Sequence, residues 1–278
     1  MERGPGDARP ARRRTAHLDP RPRRAALACF ALLLVTLPSL AVQARAQEAD
    51  WTGRLLVRGF SVRDADDWLL LRQEASRAFA DGTRLRVGLA QTRRFGAWDA
   101  SAGAGATLRP ADRVSLSVDG RVTPAADVLE DARLETRASL QAGPFVPSLG
   151  YRVQLYGEGT VHTVSPRVVW YGGPWRLSGE VRVIRSALET VNLAAIGRAT
   201  RRLSARWSAW LGLASGEEDY LVGAPPTAAL RTLTTRSAFG GVERTLTGGW
   251  SLRFTLTGIE SDPRLDRVGG SVTVARAF

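Results

Sequence analysis

The sequence predicts an all-β chain closing into a transmembrane, antiparallel, up-and-down β-barrel of about fourteen strands, with twelve as the alternative count. Three observations predict it. Apolar and polar residues alternate along nearly the whole chain after residue 46. The alternating segments run to roughly 9–12 residues, the length of a tilted bilayer crossing. Aromatic residues gather at the segment ends.

The first 46 residues read as a Sec-type signal peptide (1–46) ahead of a barrel domain (47–278). Arg12, Arg13, Arg14, Arg21, Arg23 and Arg24 make a basic lead into an apolar stretch from Ala25 to Val42. Ala44-Arg45-Ala46 then supplies the small residues of a cleavage site, with a second cut possible after Ala44. Cys29, the only cysteine, lies inside the apolar stretch, so cleavage leaves neither a disulfide framework nor a thiol nucleophile. The chain carries 39 Lys+Arg against 27 Asp+Glu, and every one of the basic residues is arginine. Nine of these arginines and three of the acids precede Gln47, which leaves an excess of six on the part that folds. No basic cluster interleaved with aromatics occurs, which argues against a nucleic-acid partner.

Taken in order, strands are expected near 51–62, 67–80, 83–94, 98–108, 113–122, 131–142, 145–156, 160–171, 174–185, 189–201, 204–214, 231–243, 249–259 and 267–278. The alternation is plainest in the middle. Val114, Leu116, Val118 and Val122 alternate with Arg113, Ser115, Ser117, Asp119 and Arg121. Trp175, Leu177, Val181 and Val183 alternate with Arg176, Ser178, Glu180 and Arg182. Such alternation marks strands with two unlike faces. Tight turns are expected at Asp81-Gly82, 109–112, Gly143-Pro144, Gly172-Gly173, Arg202-Leu203 and Gly248, on the periplasmic side. The long connections 215–230 and 260–266 then fall outside, as in barrels of this type.

A secreted soluble β-sandwich produces the same alternation, with its apolar face in a core. The barrel is favoured by segment length and by aromatics suited to an interfacial girdle: Trp51, Trp170, Tyr171, Trp175 and Trp250, with Trp68 and Trp98 near other strand ends. Phe278 on a terminal strand, with Val272 and Val274 on one face, suits closure of the last strand onto the first. Location in the outer membrane of a Gram-negative envelope follows as an expectation.

If the apolar face meets lipid, the polar face lines the lumen. The lumen-facing candidates are Arg84, Arg86, Arg113, Asp119, Arg121, Arg133, Glu135, Arg137, Arg152, Arg176, Glu180, Arg182 and Arg253. One reading is a basic lumen suited to anionic or saccharide solutes, under an acidic outer rim drawn from residues such as Asp64, Asp127, Glu130, Glu158, Glu189, Glu217, Glu218, Asp219 and Asp262. The other is that these arginines pair with Asp119, Glu135, Glu180 and Glu243 and fill a narrow barrel, since buried charges need partners.

Particular residues resemble the YaiO-type outer-membrane β-barrel proteins over about 67–278. They are Asp67-Trp68, Gly82, Arg94-Phe95-Gly96 with Asp99, Tyr151 with Leu155-Tyr156, Val164-Ser165-Pro166 before Trp170-Tyr171, and Phe278. The resemblance implies an outer-membrane barrel discussed alongside surface-polysaccharide machinery, and it implies no catalytic residues.

No catalytic, cofactor or metal-binding pattern is legible. His162 is the one histidine after residue 46, and Ser165, three positions on, belongs to the opposite strand face. The expectation is therefore a non-enzymatic channel or structural part of an envelope assembly, without cofactor. Its partners would be membrane lipid, lipopolysaccharide and the barrel-assembly machinery. A rim hydrolase acting on lipid or lipopolysaccharide is the alternative, with His162 as its only candidate base.

Overall fold

The computed structural model describes residues 51–63, 65–157, 159–185, 190–222, 229–262 and 266–278, excluding the side chains of 218–222, 229–232 and 262. The expected signal peptide therefore lies outside the described residues. So do Asp64, Glu158 and Glu189 of the expected acidic rim, and the side chains of Glu218, Asp219 and Asp262.

Fourteen strands form one sheet: β1 (Trp51–Val62), β2 (Trp68–Ala78), β3 (Arg84–Arg94), β4 (Ala97–Ala111), β5 (Val114–Val122), β6 (Ala132–Leu140) and β7 (Phe145–Tyr156), then β8 (Gly159–Gly172), β9 (Trp175–Arg185), β10 (Val191–Arg202), β11 (Trp207–Val222), β12 (Ala229–Thr245), β13 (Trp250–Asp262) and β14 (Arg267–Ala277). Each pairs antiparallel with its sequence neighbours, and β14 returns to β1 with Thr52 opposite Ala277 and Val62 opposite Arg267. The Phe278 amide donates to the Trp51 carbonyl at 2.9 Å and extends that seam. Closure leaves no row of unpaired backbone groups, the condition for a sheet to sit in hydrocarbon.

Alternation decides which face meets lipid. Leu193, Leu211, Leu213 and Leu256 all point outward, at 60%, 64%, 63% and 76% exposure. On the opposite face, Arg86 spans β4 to reach Asp119 at 2.6 Å, and Arg137 on β6 reaches Glu180 on β9 at 3.4 Å. A side chain can span an intervening strand only on the concave side of a curved sheet, so that side is the lumen. An apolar exterior of this extent is unstable in water and stable in a bilayer. The protein is an outer-membrane β-barrel, and the soluble-sandwich alternative is overturned: one sheet closes on itself with its apolar face outward.

Two expected connections differ. The connection 215–230 is mostly strand, because β11 and β12 stay paired up to Val222 opposite Ala229. The turn at 109–112 contracts: a bulge between Leu108 and Ala111 absorbs Pro110, which has no amide to give the ladder, and β4 continues to Ala111. Arg113 therefore lies exposed in the turn before β5 instead of on a lumen-facing strand. At the opposite barrel end Phe95 (φ 50) and Gly96 (φ 77) turn β3 into β4 in two residues, both left-handed as a type I′ turn requires.

The girdle is sharper than the sequence suggests. Trp51, Trp170, Trp175 and Trp250 lie outward at the short-turn end, joined by Trp207. Four of these tryptophans carry the guanidinium of the residue directly across the ladder: Arg77 over Trp51 at 5.6 Å, Arg201 over Trp175 at 5.2 Å, Arg244 over Trp207 at 5.1 Å and Arg276 over Trp250 at 5.2 Å. Cation–π stacking keeps each charge at headgroup level beside an amphipathic ring. Tyr171 and Trp68 depart from the expected girdle. Tyr171 pairs with Arg176 and takes the inward parity, because successive residues of a strand face opposite sides. Trp68 turns into the lumen at 6% exposure, between the guanidiniums of Arg94 and Arg267.

Candidate lumen site

The lumen is shaped by the connection between β5 and β6. These are the shortest strands, nine residues each, so the wall is low there and 123–131 leaves it within the barrel. The segment folds inward, burying Thr123, Val128, Leu129 and Glu130. Its anchor is Asp99 on β4, whose carboxylate accepts the amides of Asp127, Val128 and Leu129 at 2.9, 2.9 and 2.8 Å. Three amides converging on one buried carboxylate satisfy donors that would otherwise be orphaned. Ala125 holds φ 54 within the segment, a left-handed conformation that costs a residue with a Cβ about 1 kcal/mol and persists only under such anchoring. Glu130, expected on the outer rim, is thus part of the lumen wall.

Below and beside this segment the guanidiniums converge. Arg121 and Arg133 face each other across β5 and β6, and both approach Oε1 of Glu130, at 4.0 and 3.7 Å. Glu135 takes the Arg152 guanidinium at 2.9 Å and stands 3.9 Å from that of Arg137. Arg137 also donates to Ser148 at 3.3 Å and Ser165 at 3.2 Å, tying β6 to β7, β8 and β9 together. Arg182 donates to Glu180 at 2.8 Å, and Arg253 pairs with Glu243. Arg84 takes the inward parity at the start of β3, and Arg176 lies 5.9 Å from the Tyr171 ring. The four carboxylates expected as partners, Asp119, Glu135, Glu180 and Glu243, each hold an arginine.

Arginines nevertheless outnumber carboxylates on this face. Arg58 and Arg72, absent from the sequence candidates, also point inward, and neither has a carboxylate within 4 Å among the described residues. A cavity of about 190 Å³ is lined by Arg72, Arg86, Arg121 and Arg133 with Glu74, Asp119 and Glu135. A second, of about 260 Å³, lies against the inward segment. Deeper in the lumen Trp210 is buried, with Arg198 and Arg253 stacked over it at 5.0 and 5.3 Å.

The lumen roles of Asp99, Glu130, Arg72 and Trp210 escape sequence reasoning. Asp99 follows the Phe95-Gly96 turn, but nothing local marks it as an amide acceptor for a segment 28 residues away. His162 lies on the outward face, where Nδ1 stands 2.7 Å from the Tyr151 hydroxyl, while Ser165 faces the lumen beside Arg137. The two share no site.

No family model and no curated protein matches this sequence. Solved outer-membrane barrels are similar in architecture. A loop-deletion mutant of OmpT, an outer membrane protein of Vibrio cholerae, is 9% identical with a TM-score of 0.47, over 83% of this chain and 99% of that one. The translocator domain of the autotransporter NalP from Neisseria meningitidis is 14% identical with a TM-score of 0.44, over 92% and 98%. The KdgM porin, in complex with disordered oligogalacturonate, is 9% identical with a TM-score of 0.46, over 81% and 99%.

Proposed function

We propose that the protein is a narrow, non-enzymatic channel that passes anionic solutes across the outer membrane. One observation carries the reading: an excess of lumen guanidiniums stands where the inward segment 123–131 narrows the path. A row of fixed positive charges in a constriction concentrates anions and rejects cations. The ion pairs between Arg86 and Asp119, Arg152 and Glu135, and Arg182 and Glu180 hold the wall rigid without cancelling that excess. The outward leucines and the tryptophan–arginine belt make membrane lipid and lipopolysaccharide the surrounding partners, with assembly by the barrel-insertion machinery. Membership of the YaiO-type barrels is supported by the ordered series from Asp67-Trp68 to Trp170-Tyr171, and a part in envelope polysaccharide assembly would follow from it.

Planar-bilayer recording of the purified protein tests the reading. Small discrete conductance steps with an anion-selective reversal potential are expected. Conductance no higher than background, or cation selectivity, overturns it.

A further inference from the structure

The chamber of about 260 Å³ beside the inward segment holds three kinds of group. Guanidiniums of Arg94, Arg121, Arg133, Arg152 and Arg182 reach it from β3, β5, β6, β7 and β9. Neutral hydrogen-bonding groups come from Gln154 and Thr163, the Gln154 amide being steadied by a 3.1 Å bond to the Tyr156 hydroxyl. An apolar floor is made by Val161 and Ile184, against which Tyr156 packs, with Val128 and Leu129 contributed by the inward segment.

We propose that this chamber binds one ring of an acidic sugar, a hexuronate or similarly carboxylated pyranose. The proposal rests on the anion-channel reading and gives it a ligand class. A pyranose presents an apolar C–H face, a rim of hydroxyls and, when it is a uronate, one carboxylate. The floor takes the first, Gln154 and Thr163 the second, and the guanidinium fork the third. The volume lies just under the roughly 300–1,000 Å³ of pockets for drug-sized ligands, which suits a single ring.

Glu130 makes the site selective for a sugar over a bare anion. Its Oε1 is buried and has no hydrogen-bond partner among the described residues. The Arg121 and Arg133 nitrogens stand 4.0 and 3.7 Å away, just too far to donate to it. A small shift of the Arg121 or Arg133 side chain admits a ligand hydroxyl to this oxygen, where it accepts from the displaced guanidinium and donates to the carboxylate, completing both. Sulfate carries no proton to donate and meets Glu130 as a repelling charge.

Isothermal titration of the full refolded chain in detergent micelles tests this with D-galacturonate, D-galactose and sulfate. Galacturonate is expected to bind about tenfold or more tighter than either of the others. Arg121→Gln, checked for native heat-modifiable migration, is expected to lose about tenfold of the galacturonate affinity. Sulfate or galactose binding as tightly as galacturonate, or no galacturonate binding by the wild-type protein, overturns the proposal, and neither outcome depends on a variant folding. Anion-selective conductance without galacturonate binding sinks this site and leaves the channel. Galacturonate binding without conductance leaves the site and sinks the channel.

Discussion

The Asp99 carboxylate holds the amide of Val128 at 2.9 Å, and through it a segment of the β5–β6 connection is turned into the barrel instead of out of it. Asp99→Ala removes the acceptor of three amides at once. The variant is expected to lose about 3 kcal/mol in urea unfolding, since hydrogen bonds to a charged group contribute roughly 1.5–3 kcal/mol each and are not additive. Its single-channel conductance should rise as the segment leaves the lumen. Unchanged conductance would mean that 123–131 does not set the narrowest point.

Charge reversal at Arg121 and Arg133 tests selectivity. The double variant Arg121→Glu, Arg133→Glu puts two new carboxylates beside Glu130, three in all, where two guanidiniums now flank it. The reversal potential in a salt gradient should move toward cation preference, and most strongly at low ionic strength, where screening is weakest.

The lipid-facing wall predicts a dependence on depth. Leu256 lies outward near the middle of β13, and Val191 outward at the rim, where β10 begins. Leu256→Arg is expected to cost about 2–4 kcal/mol of stability in lipid, and Val191→Arg no more than about 1 kcal/mol. Equal costs at the two positions would contradict the assigned membrane span.

The seam between β1 and β14 is tested on a gel. Val272 pairs with Val57 on one side and Phe254 on the other. Val272→Pro removes a ladder amide from the strand that closes the barrel. The wild type should run faster unboiled than boiled, and the variant should lose that fast-running form.

Much of the barrel was legible in the chain, and the reason is local. Alternation with period two is a property of neighbouring residues, so Leu252, Phe254 and Leu256 against Ser251, Arg253 and Thr255 already divide one strand into two faces. Short turn motifs such as Asp81-Gly82 mark where one strand gives way to the next. Together they predict the count of fourteen and the inward course of most of the arginines.

The rest required closure. Only the curved sheet brings Arg137 on β6 to Glu180 on β9, or sets Arg121 and Arg133 around one buried oxygen of Glu130. The segment 123–131 has no periodicity to read, and its inward course depends on an acceptor on another strand. The extra length of β11 and β12 came from pairing with each other through residues whose alternation is weak. The sequence by itself determined a barrel with an arginine-rich interior, because face assignment is encoded residue by residue. Tertiary structure decided which of those arginines converge, what narrows the path between them and where a ligand fits, because those relations exist only across the lumen.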